Sequence, residues 1–511
     1  MKAILCILCL FSFLMSQNLK DTIIIAVENE PKRINPIYSE DHDDINSMVF
    51  SGLTRFDENM NIIPDLAKSW NISKDGLEYE FILRDDVFWH DGVKFSAEDV
   101  KFSIDAFKDS KNNSTLSVNY EDVKDVKIIN DYKIKIYLYK PYPAFLDVLS
   151  YGVLPKHLLE NENLNTTTFN QNPIGTGPYK FKKWKKGQYT SLIANEKYYL
   201  AKVKTKNLIV KYIPNSTTKA IELKNSAVDI ALIDFSLMDQ FKNDERFNIL
   251  IEPSVDYRAL MFNLNNEILK DKNIRIALNY MIDKQKIVKN VLKDYASVAN
   301  HPIELSWANP DHFAKFNYDL KKADFYLKNS GWTKNKNGIY EKDGKELSFD
   351  IYVMSDDRLR VLLASALEYE FLKNGVKAKV IAKVSGSFDY TKTDSFLVGW
   401  GSVLDPDYHT YKIFSSSEDS DINESGWNFN HYKNKIVDET LKKARYTKNK
   451  EERKKYYKEF IQALHDDPPY LFIAYIKYPL VYDKNLKGIK QRVLGHHGIG
   501  FSFNVYEWSK E

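Results

Sequence analysis

Residues 357–384 constrain the fold more than any other stretch. DRLRVLLASALEYEFLKNG carries apolar residues at helical spacing and closes on Asn374 and Gly375, a common helix stop. VKAKVIAKV follows at once and reads as a strand. A helix feeding straight into a strand is the repeating step of an α/β lobe. KNKEERKKYYKEFIQALHDDPPYLFIAY repeats it, as a long charged helix, a break at Pro468 and Pro469, and a buried strand. Residues 273–293 and 319–330 add two amphipathic helices, the second closed by Gly331.

The first half has a different style. TIIIAV at 22–27 is a strand, followed by a polar loop and a helix near 43–50. Asp75 with Gly76, and Asp91 with Gly92, mark tight turns between strands. Ser96 and Asp99 form a capping box for a helix whose Val100, Ile104 and Phe107 share one face. KIKIYLY alternates as a strand does, and Gly175, Gly177 and Pro178 form a rigid turn before another strand. At 511 residues the chain exceeds one simple core, so two or more lobes are expected. The charge balance, 73 basic against 70 acidic residues, excludes the concentrated basic face of a nucleic-acid binder.

The N-terminus, MKAILCILCLFSFLMSQ, has one Lys, an apolar run and a small residue at Ser16. This order is that of a secretory signal peptide over 1–16, cut before Gln17. The run is too short for a membrane span. Cys6 and Cys9 both lie inside it, so the exported chain has no thiol and no disulfide. Leu5 and Leu8 precede the two cysteines where a lipoprotein carries a small residue, so a free periplasmic protein is expected.

Three ordered motifs carry a family resemblance: NIIPDLAKSW (61–70), YEFILRDDVFWHDGVKFSAEDVKFSID (79–105) and PIGTGPY (173–179). MFNLNNEILKDKNIRIALNYMIDKQKIV (261–288), GWGSVLDPDYH (399–409) and LFIAYIKYPLVYD (471–483) extend it over nearly the whole mature chain. Together they resemble the solute-binding proteins of ABC importers for peptides and nickel. The resemblance implies a two-lobed periplasmic binding protein fold, type II and cluster C-like, with an extra subdomain. Carried onto this chain, lobe I covers 17–262 plus 485–511, with the extra subdomain at 62–171, and lobe II covers 263–484. It also implies a monomer that closes its lobes on a solute and presents it to a cognate permease in the inner membrane.

The ligand is read from individual residues. Only Gly401 to Leu404 separate Trp400 from Asp405 and Pro406, a short form that resembles the nickel branch. Peptide binders carry a longer acidic loop there, with a carboxylate for the peptide amine. Ni²⁺ takes imidazole nitrogen and carboxylate oxygen. His42, within EDHDD, and the Gly-flanked pair His496 and His497 are the candidate metal ligands, brought together in lobe I by the family layout. His90 and His409 are weaker candidates, and His157, His312 and His465 read as surface or helix-end residues. The nickel branch places a histidine in the loop that corresponds to 414–427, and this chain has none there.

Arg358 and Arg360 open the helix at 358, where a helix N-terminus and a guanidinium together suit a carboxylate. Arg360 is chosen as the ligand-carboxylate anchor, Trp400 as an apolar wall, and Asp405, or Asp407 in its place, as the residue that would take a peptide amine. The expected cargo is nickel held by a small carboxylate or amino-acid chelator, histidine-like in chemistry, and no catalytic cofactor is expected. A di- or oligopeptide cargo is the alternative. No G-x-S-x-G, H-E-x-x-H or phosphate-binding loop is present, so the chain is not read as an enzyme.

Overall fold

A computed structural model describes residues 21–38 and 44–511. The expected signal peptide at 1–16, with Cys6 and Cys9, lies outside the described residues, as does His42. Among the described residues no helix is long and apolar enough to cross a membrane. The chain is mixed α/β and divides into two compact units, one of Met1–Pro253 with Tyr478–Glu511 and one of Ser254–Lys477.

The division into compact units falls at 253/254 and 477/478, a few residues before the 262/263 and 484/485 limits expected from the family layout. Both crossings run inside long strands, Phe247–Phe262 and Tyr470–Asp483. In the second unit, Ala259 of the first strand pairs with Val398. In the first unit, Leu480 of the other strand pairs with Leu232. A strand's apolar pattern shows where it ends, not where along its length its neighbours change.

In the first unit, Thr22–Val27 lies parallel to both Asn207–Tyr212 and Ile230–Leu232. Its continuous apolar run is what a strand covered on both faces requires, and Ile23 and Ile25 are wholly buried. Tyr189–Ala194 and Tyr179–Lys185 extend that sheet antiparallel. Residues 67–138 add a separate antiparallel sheet in the order Ala67–Ile72, Glu78–Leu83, Lys133–Leu138, Val123–Asn130. Ile134, Ile136 and Leu138 point inward, while Lys135 pairs outward with Glu78 at 2.5 Å. Helix Ala97–Lys108 begins at the expected capping box of Ser96 and Asp99.

The HDG and GTGP turns, far apart in sequence, interlock through His90. Its backbone N–H donates to the Gly175 carbonyl at 2.9 Å. Its ring Nε2–H donates to the Gly177 carbonyl at 3.0 Å, and Nδ1 accepts from the Gly175 N–H at 3.2 Å. One donor and one acceptor define a neutral imidazole. Burial pushes its pKa down to about 4. Thus His90, weighed as a cleft residue, is a structural staple.

In the second unit, Ser348–Met354 lies parallel to Lys377–Lys383 and to Ser395–Trp400. Residues 257–262 pair antiparallel with the last of these. Tyr257, Met261, Phe396 and Val398 pack with Val437, Leu441, Phe460 and Leu464 from the helices Lys435–Tyr446 and Lys450–Asp466. The single helix expected over 273–293 is instead Lys272–Tyr280, then Lys284–Lys286 and a π turn at Ile287–Val291. The side chain of Asp283 accepts from the Lys286 N–H at 3.0 Å, so it caps a new helix rather than continuing the old one.

The His90 staple sets a pH dependence. The unfolded imidazole gains its proton near pH 6.5 and the folded one near pH 4, so the unfolded state binds more protons across that window. Stability conferred by the neutral ring is full above the window and is lost as pH falls through it. His90→Gln keeps a donor and an acceptor but does not titrate. The loss of unfolding free energy between about pH 7 and about pH 4, followed by urea denaturation, should shrink by about 3 kcal/mol in this variant. An equal loss in both proteins refutes the staple.

Candidate ligand-binding residues in the two units

In the first unit, the pair His496 and His497 occupies a 3₁₀ turn between Gly495 and Ile499. The rings are 4.0 Å apart between centroids and tilted by 54°. His496 is buried and His497 half-buried. His497 has φ 57 and Gly498 φ 78, and a Cβ on Gly498 would strike the Leu232 side chain. Gly498 is therefore required by a positive φ and a close approach.

Asp44 ties this tail to the first helix of the unit, Asp44–Val49. Its Oδ1 accepts from the Gly500 N–H at 2.9 Å and from the Ser502 hydroxyl at 3.1 Å. Burial raises its pKa to about 6, against the pull of those bonds and of Arg492. The Arg492 guanidinium is itself buried and lies 4.8 Å from the centre of the Phe503 ring. Burial lowers the pKa of Arg492 to about 10 and raises that of neighbouring Glu252 to about 7. Asp44 stands two residues after His42, and Gly500 two after Gly498. The carboxylate thus joins the start of the helix Asp44–Val49 to the tail that follows the His496–His497 turn. Sequence reasoning took the EDHDD acids as neighbours of His42 and missed this clamp; its one signal was an acid at the start of a helix.

In the second unit, Trp400 stacks on Trp427, with ring centroids 5.4 Å apart and 14° between planes, and on Phe429 at 6.0 Å. His409 meets Trp427 edge-on at 5.4 Å, and Lys412 Nζ lies 4.0 Å over the same ring. Tyr257, Ile303, Gly401, Leu404, His409 and Tyr475 line a pocket beside this stack.

Two expected anchors are engaged elsewhere. Asp405 is buried, and its two oxygens are held by Arg453 at 2.6 and 2.9 Å. Asp407 Oδ2 pairs with the buried Arg445 Nη1. Neither carboxylate is open to a peptide amine, because arginines 48 and 38 residues onward fold back to neutralise them. Arg360 is also buried. Its Nε pairs with Asp357 Oδ2 at 3.0 Å and its Nη1 approaches Met354 Sδ at 3.3 Å. Asp357 caps the helix Arg358–Lys373, accepting the Arg360 N–H at 3.0 Å. An acid therefore occupies the helix end at which a ligand carboxylate was expected. Arg358 is exposed.

Residues 61–421 match the family model for bacterial extracellular solute-binding proteins, family 5, middle region. The chain belongs to that family. Within it, the solved structure of NikZ from Campylobacter jejuni in complex with Ni(L-His) is 65% identical, with a TM-score of 0.92 over 96% of this chain and 100% of that one. The oligopeptide-binding protein AppA of Bacillus subtilis is 32% identical over 509 residues, spanning 95% of this chain and 91% of AppA. The nickel-binding periplasmic protein of Escherichia coli is 25% identical over 494 residues, spanning 94% and 93%. The family resemblance and the two-lobed α/β class read from the motifs are thus correct.

Replacing Asp44 by Ala leaves the Gly500 N–H and the Ser502 hydroxyl without their acceptor, at a cost of about 1–3 kcal/mol. Hydrogen exchange of the Gly500 amide should speed up in Asp44→Ala while amides of Thr22–Val27 stay protected. Unchanged exchange at Gly500 would show that the clamp does not hold the tail.

Proposed function

We propose that this chain is the exported solute-binding component of an ABC importer, and that it captures nickel as a complex with a small amino-acid or carboxylate chelator resembling histidine. The 65% identity to NikZ in complex with Ni(L-His), over nearly the full length of both chains, carries this reading. The signal-peptide pattern supports export to the periplasm, and the family layout supports a monomer whose partner is a permease in the inner membrane. It has no catalytic step. His42, His496 and His497 supply imidazoles that replace labile ligands on the metal, while the chelator keeps the rest of the coordination sphere. The buried turn and the Asp44 clamp restrict where His496 can move, which lowers the ordering cost of coordination. Trp400, stacked on Trp427, offers an apolar wall for the chelator. For Arg360 to take the chelator carboxylate, its pair with Asp357 must open.

A peptide cargo has one observation in its favour, the relationship to AppA across 95% of the chain. The engagement of Asp405 and Asp407 by arginines weighs against it, since the amine anchor is then missing. Thermal shift with nickel and histidine against a panel of di- and oligopeptides separates the two. Stabilisation by peptides alone would reverse the assignment.

Coordination needs neutral imidazole, so nickel–histidine affinity should fall as pH drops through the ordinary histidine range. His42→Ala and the double variant His496→Ala/His497→Ala should each weaken capture by roughly tenfold or more, read by calorimetric titration. Retained nickel stoichiometry and affinity in both variants would sink the metal assignment.

A further inference from the structure

We propose that Asp419, Asp421 and His431 form a second cation site in the Ser254–Lys477 unit, which takes a divalent first-row transition ion such as Zn²⁺ as a structural staple. Their ligand atoms all lie within 4.8 Å of one another. This site shares no residue with the proposed nickel ligands and does not rest on that reading.

The argument begins with the imidazole. His431 Nε2 lies 3.2 Å from the Thr391 carbonyl oxygen, which can only accept, so Nε2 carries a proton. The other nitrogen, Nδ1, faces Asp419 Oδ1 at 2.9 Å and Asp421 Oδ2 at 3.4 Å. A neutral ring would turn its lone pair on two carboxylates, so the site needs a positive charge at that point. A proton on Nδ1 supplies one such charge, and a bound metal ion supplies two.

The surroundings match a metal better than a proton. Metal-binding histidines usually donate their other ring N–H to a carbonyl or carboxylate, which fixes the ring and its tautomer; Thr391 does that here. Asp419 is almost wholly buried while Asp421 is open to solvent, which gives an ion both a fixed ligand and an entry path. One imidazole and two carboxylates suit zinc, nickel or cobalt rather than the all-oxygen shell of calcium or magnesium. His431 adopts φ 59, uncommon for a residue with a side chain, and that backbone aims its ring at the acids. Lys433 Nζ, 3.6 Å from Asp419 Oδ2, is the one nearby cation that competes for the pair among the described residues.

The consequence concerns the aromatic wall. Trp427 and Phe429, which stack against Trp400, lie on the stretch between the acids and His431. An ion bridging its two ends closes this stretch into a loop and limits the freedom of both rings.

The test uses the full exported chain with His42, His496 and His497 all replaced by Ala, so that the proposed nickel ligands are absent. Equilibrium dialysis against Zn²⁺ should still find one bound equivalent. Adding Asp421→Asn, an exposed change that the fold tolerates, should weaken that equivalent roughly tenfold or more, and adding His431→Gln should remove it. No bound Zn²⁺ in the triple variant would show an imidazolium ion pair only. Zn²⁺ retained at full affinity in the Asp421→Asn and His431→Gln variants would place it elsewhere. Either result overturns the proposal.

Discussion

The first unit depends on the approach of two glycines to the end of one short helix. The Gly177 N–H donates to the Val49 carbonyl at 2.8 Å, and a Cβ on Gly175 would run into that same oxygen. No other residue type fits, because the contact is backbone against backbone. His90 holds the glycine turn from the other side with three hydrogen bonds. The helix so placed begins at Asp44, whose carboxylate holds Gly500 and Ser502 close to the histidine pair. A turn in the middle of the chain thereby sets the position of a helix near its start and of a loop near its end.

The second unit handles charge differently. Asp405 and Asp407 are buried against Arg453 and Arg445, and Arg275 donates to the carbonyls of Leu269, Lys270 and Pro468. Burying such groups costs several kcal/mol of desolvation each unless partners are in place, and here the partners are in place. The arrangement fixes the turn after Trp400.

Local patterns were read well from sequence where the structure is local. The capping box at Ser96, the stop at Asn374 and Gly375, and the alternating strand Lys133–Leu138 depend on residues a few positions apart. The helix expected over 273–293 failed at Asp283, whose cap competes with helix continuation in a way that periodicity does not register. The candidate site was half legible. A histidine pair between glycines is visible as a string. That Asp357 would engage Arg360, and Arg453 would engage Asp405, is not visible, because the partner of a charge is chosen by packing rather than spacing.

The amino-acid order by itself determined the α/β class, the family, and the residue types available to a metal, since these follow from periodicity, turn chemistry and motif succession. Tertiary structure alone decided which of those residues are committed. It placed the unit boundaries inside two strands, turned His90 into a buried staple, gave Asp44 the tail to hold, and gathered Asp419, Asp421 and His431 at one point. The reason is common to all four. Hydrogen bonds and ion pairs between distant segments have no signature in a linear pattern, and they exist only once burial has made an unpartnered polar group too costly to leave.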